Sequence, residues 1–185
     1  MTSILFVCTG GICRSPMAAI VATHMLEGLG DFDVRNAGTL GHADVPTDLA
    51  VEVMANRELD LSSWESTPVA DAIGGNPDLI VALTRAHAQW IVEQDGDLLA
   101  RTFTLKELVR RAGESGPRDR TEDLDVYLER ISEGRTPSDL VEGSSAADDI
   151  ADPIGHPIEV YEGCASLIEN EVAQMVELLW PSRPT

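Results

Sequence analysis

Two cysteines, an arginine and a serine fall within eight residues near the start of the chain, in VCTGGICRSP (7–16), with two glycines among them. A cysteine attacks only as its thiolate. Loop amides, a helix N-terminus and a neighbouring arginine are the features that favour that form. The same positive field draws a phosphate to the start of a helix. Gly10 and Gly11 let the loop curl so that its amides converge on one spot. Arg14 adds a planar, permanently charged fork matched to two phosphate oxygens. Cys8, beneath a bound phosphoryl group, would then be a nucleophile aimed at phosphorus. The plainer alternative is a glycine turn with a buried structural cysteine. What favours the chemical reading is the position of the loop, between a strand and a helix. Neither GxGxxG nor GxxxxGK[ST] occurs, so a dinucleotide or NTPase loop has no support.

The elements that position this loop follow from periodicity. ILFV (4–7) is a run of β-formers and predicts a buried strand. Ser15 is a candidate N-cap and Pro16 suits the first helical position of the segment after it. FDVRNAG (32–38), DLIVALT (78–84) and part of ARTFTL (100–105) read as further strands. Helices are predicted over 47–59, with Thr47 as cap, over 85–94, and over LKELVRR. In the last helix, over 159–180, Tyr161, Cys164, Ile168, Val172, Met175 and Leu179 recur at spacings of three and four. Alternating strands and helices predict a parallel sheet covered on both faces, with ligands beyond the carboxyl ends of its strands. Residues 112 to 151 are rich in Gly, Ser, Asp, Glu and Arg. A mobile insertion is expected at about 112–148, with a helical piece at 124–131.

With 13 basic and 32 acidic residues the formal charge is −19, which argues against non-specific binding to nucleic acid or anionic membrane. Lys106 is the sole lysine. Three cysteines are too few for a disulfide framework, and a reducing, cytoplasmic setting is expected. MTSILFVC lacks the features of a signal peptide, and no stretch has the apolar length of a membrane span. No His/Cys/Asp spacing resembles a metal site, and no cofactor is expected.

VCTGGICRSPMAA resembles the active-site loop of the low-molecular-weight protein tyrosine phosphatase family, which includes arginine phosphatases and related arsenate reductases. VRNAGT (34–39), DLIVALTRAH (78–87), FTLKEL (103–108) and ADPIGHPIEVYEGC (151–164) are similar to family segments in the expected order. The resemblance implies a single phosphatase-like domain over 1–185, a three-layer α/β fold with a four-stranded parallel sheet, and the phosphate loop after the first strand. It implies a phosphocysteine mechanism. Cys8 would be the nucleophile, Arg14 the phosphate clamp and Ser15 a hydrogen-bond partner of the thiolate. Asp152 would be the general acid and then the base. Thr9, Gly10, Gly11, Ile12 and Cys13 would complete the phosphate-binding loop. A reversible Cys8–Cys13 disulfide is also implied, beside the alternative that Cys13 is a small buried filler.

The chain departs from the family pattern at several positions. Gly11 stands where asparagine is usual, Asn36 where serine is usual, and Trp64 near where a histidine is usual. Those side chains brace the phosphate loop in the family. Asn36 is expected to reach across and supply the missing hydrogen bonds, and an asparagine at position 11 to crowd it. Ile154 follows Asp152-Pro153 where tyrosine phosphatases tend to have an aromatic, which weakens the phosphotyrosine case. Ile12 resembles the tyrosine-directed members, whereas arginine phosphatases typically have threonine there. The expected substrate is a phosphorylated protein or small phosphomonoester, phosphotyrosine slightly ahead. The alternatives are a phosphoarginine phosphatase, an arsenate reductase using an external thiol, and a weakened phosphate-binding module. Cys164 reads as core, His24 and His87 as structural, and His42 as a loop residue bordering the site. His156 is a candidate substrate contact.

Overall fold

The computed structural model describes residues 1–41, 44–141 and 147–181. In chain order the elements are β1 (Thr2–Cys8), α1 (Arg14–Leu26), β2 (Phe32–Gly38), α2 (Asp48–Ala55), β3 (Thr67–Pro68), α3 (Val69–Gly74), β4 (Leu79–Ala82) and α4 (Arg85–Gln94). A 3-10 turn over Gly96–Arg101 leads to β5 (Thr102–Thr104), α5 (Leu105–Ser115), α6 (Leu124–Ser132), α7 (Ser138–Val141) and α8 (Ile158–Leu179).

All strands run parallel, in the order β3-β2-β1-β4-β5. The expectation of four strands is therefore corrected to five. The additional strand, β3, pairs only Ala37 with Thr67 and Gly38 with Pro68. Two residues cannot show an alternating pattern, and a proline without an N–H is tolerated only at a sheet edge. The three-layer arrangement itself is as expected.

Strand alternation sorts the core into its two sides. Ile4, Phe6 and Cys8 of β1 face one cluster with residues of α1, α2, α5, α6 and α8. Leu5 and Val7 face a smaller cluster with Val69 and Ala72 of α3 and Ile91 of α4. The predicted stripe of α8 is buried as read, from Tyr161 through Leu179. Within the segment expected as an insertion, α6 buries Tyr127, Leu128 and Ile131, and Tyr127 Oη donates to the Gly116 carbonyl at 3.0 Å. Arg135 reaches back to Glu107 at 2.9 Å and lies over the Phe103 ring.

The strand order places a topological switch between β1 and β4: β2 and β3 extend the sheet on one side, and the chain then crosses to β4 on the other. Ligand sites in such sheets form at the carboxyl ends of the strands flanking the switch. The loop after β1 and the start of α4 after β4 meet there.

Candidate active site

Cys8 ends β1 and is buried. Its Sγ lies 3.1 Å from Ser15 Oγ and accepts the Gly11 N–H at 3.3 Å. Ser15 is not the cap of α1, contrary to the sequence reading. The helix begins at Arg14 behind Cys13, without a side-chain cap. Ser15 Oγ faces inward instead, where it also approaches the Ala37 carbonyl at 3.3 Å. The first turn of α1 carries no acidic residue, which keeps the positive end of the helix free for an anion.

The loop is anchored from several sides. Thr39 N–H donates to the Cys8 carbonyl and Leu40 N–H to the Thr9 carbonyl, both at 3.0 Å, and Thr47 N–H donates to the Ile12 carbonyl at 2.9 Å. Asn36 Nδ2 donates to the Gly11 carbonyl at 2.8 Å, so an amide from β2 does brace the loop. Gly11 has φ +72, a left-handed conformation that glycine adopts without strain. A Cβ there would meet Ser66 Cβ at 2.7 Å and the β2 backbone at 3.0 Å. The first neighbours that a side chain at 11 meets are thus Ser66 and the β2 backbone, while Asn36 touches the carbonyl side of the glycine. Trp64 is half-buried against the core.

Sequence reasoning passed over Gly38. A Cβ on Gly38 would lie 2.5 Å from the Gly10 carbonyl carbon and 2.7 Å from Gly11 N. The loop packs directly on this glycine. It stood in the quoted VRNAGT segment, but closeness of two backbones leaves no periodic signal.

Arg14, only 4% exposed, points its guanidinium across the loop. Nη1 donates to the Ile150 carbonyl at 3.0 Å, and Nη2 to Thr9 Oγ1 at 3.3 Å and Asp152 Oδ2 at 2.7 Å. Nε is buried and has no hydrogen-bond partner among the described residues. A buried donor left unpaired is costly, and a phosphate oxygen in the loop would satisfy it. Asp152 arrives from the segment before α8. That segment is pinned to the end of β4 by Ile150 N–H donating to the Leu83 carbonyl at 2.9 Å. Asp149 Oδ1 accepts the Arg85 N–H at 2.8 Å. Ile154 N–H donates to Asp152 Oδ1 at 3.2 Å, fixing the carboxylate.

His87, read from sequence as structural, touches the loop directly. Its Nε2 lies 2.9 Å from Thr9 Oγ1 and its Nδ1 2.9 Å from Thr84 Oγ1. Burial, with the Arg14 charge nearby, pushes its pKa down to about 4 and keeps the ring neutral. Cys13 is buried and its thiol is pushed strongly up by desolvation. Cys164 packs in the core as read, Sγ 3.8 Å from the Ala151 carbonyl, with its pKa raised to about 11 by burial. All three cysteines are free thiols. His24 is exposed beside Glu27. His156 is exposed in the turn after Pro153, and its backbone N–H donates to the Pro153 carbonyl at 3.1 Å. His42 lies outside the described residues.

Two exposed aliphatic side chains lie beside the loop, one after Asp152-Pro153 and one whose N–H is bonded to Thr9. Ile154 is 44% and Leu40 61% exposed. The eight aromatic residues of the chain are all buried or half-buried.

A cysteine at the foot of a glycine loop, an arginine fork above it and a carboxylate on that fork, all at the switch point of a parallel sheet, define a phosphatase that works through a phosphocysteine. Residues 3–126 match the family described as low molecular weight phosphotyrosine protein phosphatase, and the chain belongs to that family. It is 29% identical over 182 residues to a protein-arginine-phosphatase of Bacillus subtilis, spanning 97% of this chain and 98% of that one. It is 34% identical over 117 residues to a Staphylococcus aureus low molecular weight protein-tyrosine-phosphatase, PtpB, spanning 60% of this chain and 76% of that one. Among solved structures it is similar to a YwlE arginine phosphatase with a cysteine-to-serine change and a phosphorylated active-site serine. That match has a TM-score of 0.72 and 27% identity over 98% of each chain. Among the described residues no helix is long and apolar enough to cross a membrane.

Proposed function

We propose that this enzyme removes phosphate from arginine side chains of phosphorylated proteins, with Cys8 as nucleophile, Arg14 as phosphate clamp and Asp152 as general acid and base. The Cys8 thiolate attacks phosphorus, and the P–N bond breaks. Asp152 gives its proton to the departing guanidine, which leaves far more readily protonated. Water then attacks the S–P bond while Asp152 takes its proton, and phosphate leaves with the thiolate restored. Ser15 Oγ and the Gly11 amide lie within hydrogen-bond distance of the sulfur that attacks and is released.

The observation that carries the arginine reading is the exposed aliphatic Ile154 beside the loop. A phosphotyrosine ring gains most from an exposed aromatic to stack on, and Ile154 stands where that ring would be sought. The methylene stem of phosphoarginine is matched to the aliphatic Ile154. End-to-end similarity to a protein-arginine-phosphatase supports the same choice. Phosphotyrosine is the second reading, favoured by Ile12, which resembles the tyrosine-directed members. The test is kcat/KM on one peptide sequence carrying either phosphoarginine or phosphotyrosine, with arsenate and an external thiol as a third arm. A preference for phosphoarginine of tenfold or more is expected. An equal or reversed ratio overturns the arginine reading, and turnover of arsenate alone overturns the hydrolase reading.

A further inference from the structure

Thr84, His87 and Thr9 form a side-chain relay that ends on Arg14. We propose that His87 is a positioning residue for catalysis, holding the Thr9 hydroxyl so that its oxygen sets the plane of the Arg14 fork. This rests on the reading of Arg14 as the phosphate clamp.

Three observations carry it. First, the contacts are serial: Thr84 Oγ1 to His87 Nδ1 at 2.9 Å, His87 Nε2 to Thr9 Oγ1 at 2.9 Å, and Arg14 Nη2 donating to Thr9 Oγ1 at 3.3 Å. Second, the Thr84–His87 half is fixed. Thr84 is the N-cap of α4, its Oγ1 accepting the His87 N–H, and His87 is 6% exposed. Thr9, by contrast, is exposed, and a lone threonine there would be free to rotate. Third, the relay bridges the β1–β4 switch, so it ties the phosphate loop to the opposite wall of the site. A neutral imidazole uses one nitrogen as donor and the other as acceptor, so either tautomer completes the chain. An imidazolium would instead set a second cation beside Arg14.

The guanidinium has two competing partners, Thr9 and Asp152. When Asp152 releases the fork to act on the leaving group, Thr9 remains to hold its plane. The relay therefore matters more in the transition state than in the substrate complex. Correct orientation of a clamp of this kind is realised as turnover rather than as binding.

The test uses full-length enzyme and an aryl phosphate. His87→Ala and Thr9→Val are each expected to lower kcat about tenfold, the worth of one ordinary hydrogen bond, with KM changed less than threefold. Vanadate inhibition should weaken in parallel. His87→Gln, which keeps a polar atom near the Nε2 position, and Thr9→Ser, which keeps the hydroxyl, should each recover most of the loss. The His87→Ala/Thr9→Val pair should be no worse than either alone. If His87→Ala does not fold, the exposed Thr9 decides through Val against Ser. Wild-type kcat in Thr9→Val, no recovery by the conservative variants, or additive losses in the pair overturns the proposal. Cys8→Ser separates this from the underlying reading: turnover in that variant defeats the phosphocysteine assignment itself, whereas an inactive Cys8→Ser with a fully active Thr9→Val defeats only the relay.

Discussion

Asn36 Nδ2 donates to the Gly11 carbonyl at 2.8 Å, across 25 residues of sequence, in a site where Asn36 is 2% exposed. The bond ties the loop to the sheet through a side chain borne by β2. Asn36→Ala leaves a buried carbonyl unpaired, which typically costs about 1–3 kcal/mol. Urea unfolding of this variant should show a loss in that range, with kcat/KM reduced as well. A loss within about 0.5 kcal/mol, the size of a surface change, would show that the brace is idle.

Gly11→Asn is expected to destabilise by about 1–3 kcal/mol, as overpacking does, because the new Cβ meets Ser66 and the β2 backbone. Adding Asn36→Ser should not restore it, since the Cβ clash with Ser66 and the β2 backbone remains. Gly38→Ala pushes Gly10 and Gly11 away from β2. Displacing a catalytic loop by about 1 Å can cost about 10²-fold, so kcat/KM should fall by roughly that factor while the fold persists by circular dichroism.

Asp152 occupies the arginine fork at 2.7 Å and places a carboxylate beside the anion cradle. Asp152→Ala should therefore bind inorganic phosphate more tightly than wild type, measured by calorimetry, because Arg14 is freed and a repulsive charge removed. Turnover of substrates with poor leaving groups should fall by roughly 10²–10⁴, and less for groups that depart without a proton. Unchanged or weaker phosphate binding would count against this competition.

His87 titrates near 4 in the folded protein, against an ordinary value of 6.5, because it is buried with Arg14 nearby. Between those values the unfolded chain holds the extra proton and the folded chain does not, so stability rises with pH. The contribution is complete above about 6.5 and is lost as pH falls towards 4. It is on the order of 3 kcal/mol from the size of the shift. Chemical denaturation at several pH values should show His87→Gln with a shallower acid slope than wild type. Identical slopes would mean that His87 is not the group responsible.

The central features were legible where a local pattern carried them. The apolar run of β1 and the stripe of α8 are periodic, and the glycine–arginine loop sits between recognisable elements. The Asn36 brace could be anticipated because two departures, at 11 and 36, made sense only together. The edge strand β3 was hidden by its length and its proline. His87 read as structural because one histidine on a short helix gives no hint that the β1–β4 switch brings it to Thr9, 78 residues away. Gly38 and Ser66 matter through backbone and Cβ distances, which composition does not encode. Ser15 matched the cap preference, yet its hydroxyl is used by Cys8, a contact seven residues back that only the turn of the loop creates.

The most direct test is to trap the covalent intermediate. Asp152→Ala enzyme, in which hydrolysis of the S–P bond is slowed, is mixed with a substrate whose leaving group needs no proton, quenched, digested and analysed by mass spectrometry. The account predicts phosphate attached to Cys8, on the peptide that also contains Arg14, and no adduct in the Cys8→Ser/Asp152→Ala enzyme that carries sulfur-bound phosphate. Substrate turnover with no phosphate on Cys8 at any quench time, or wild-type turnover in Cys8→Ser, would contradict it.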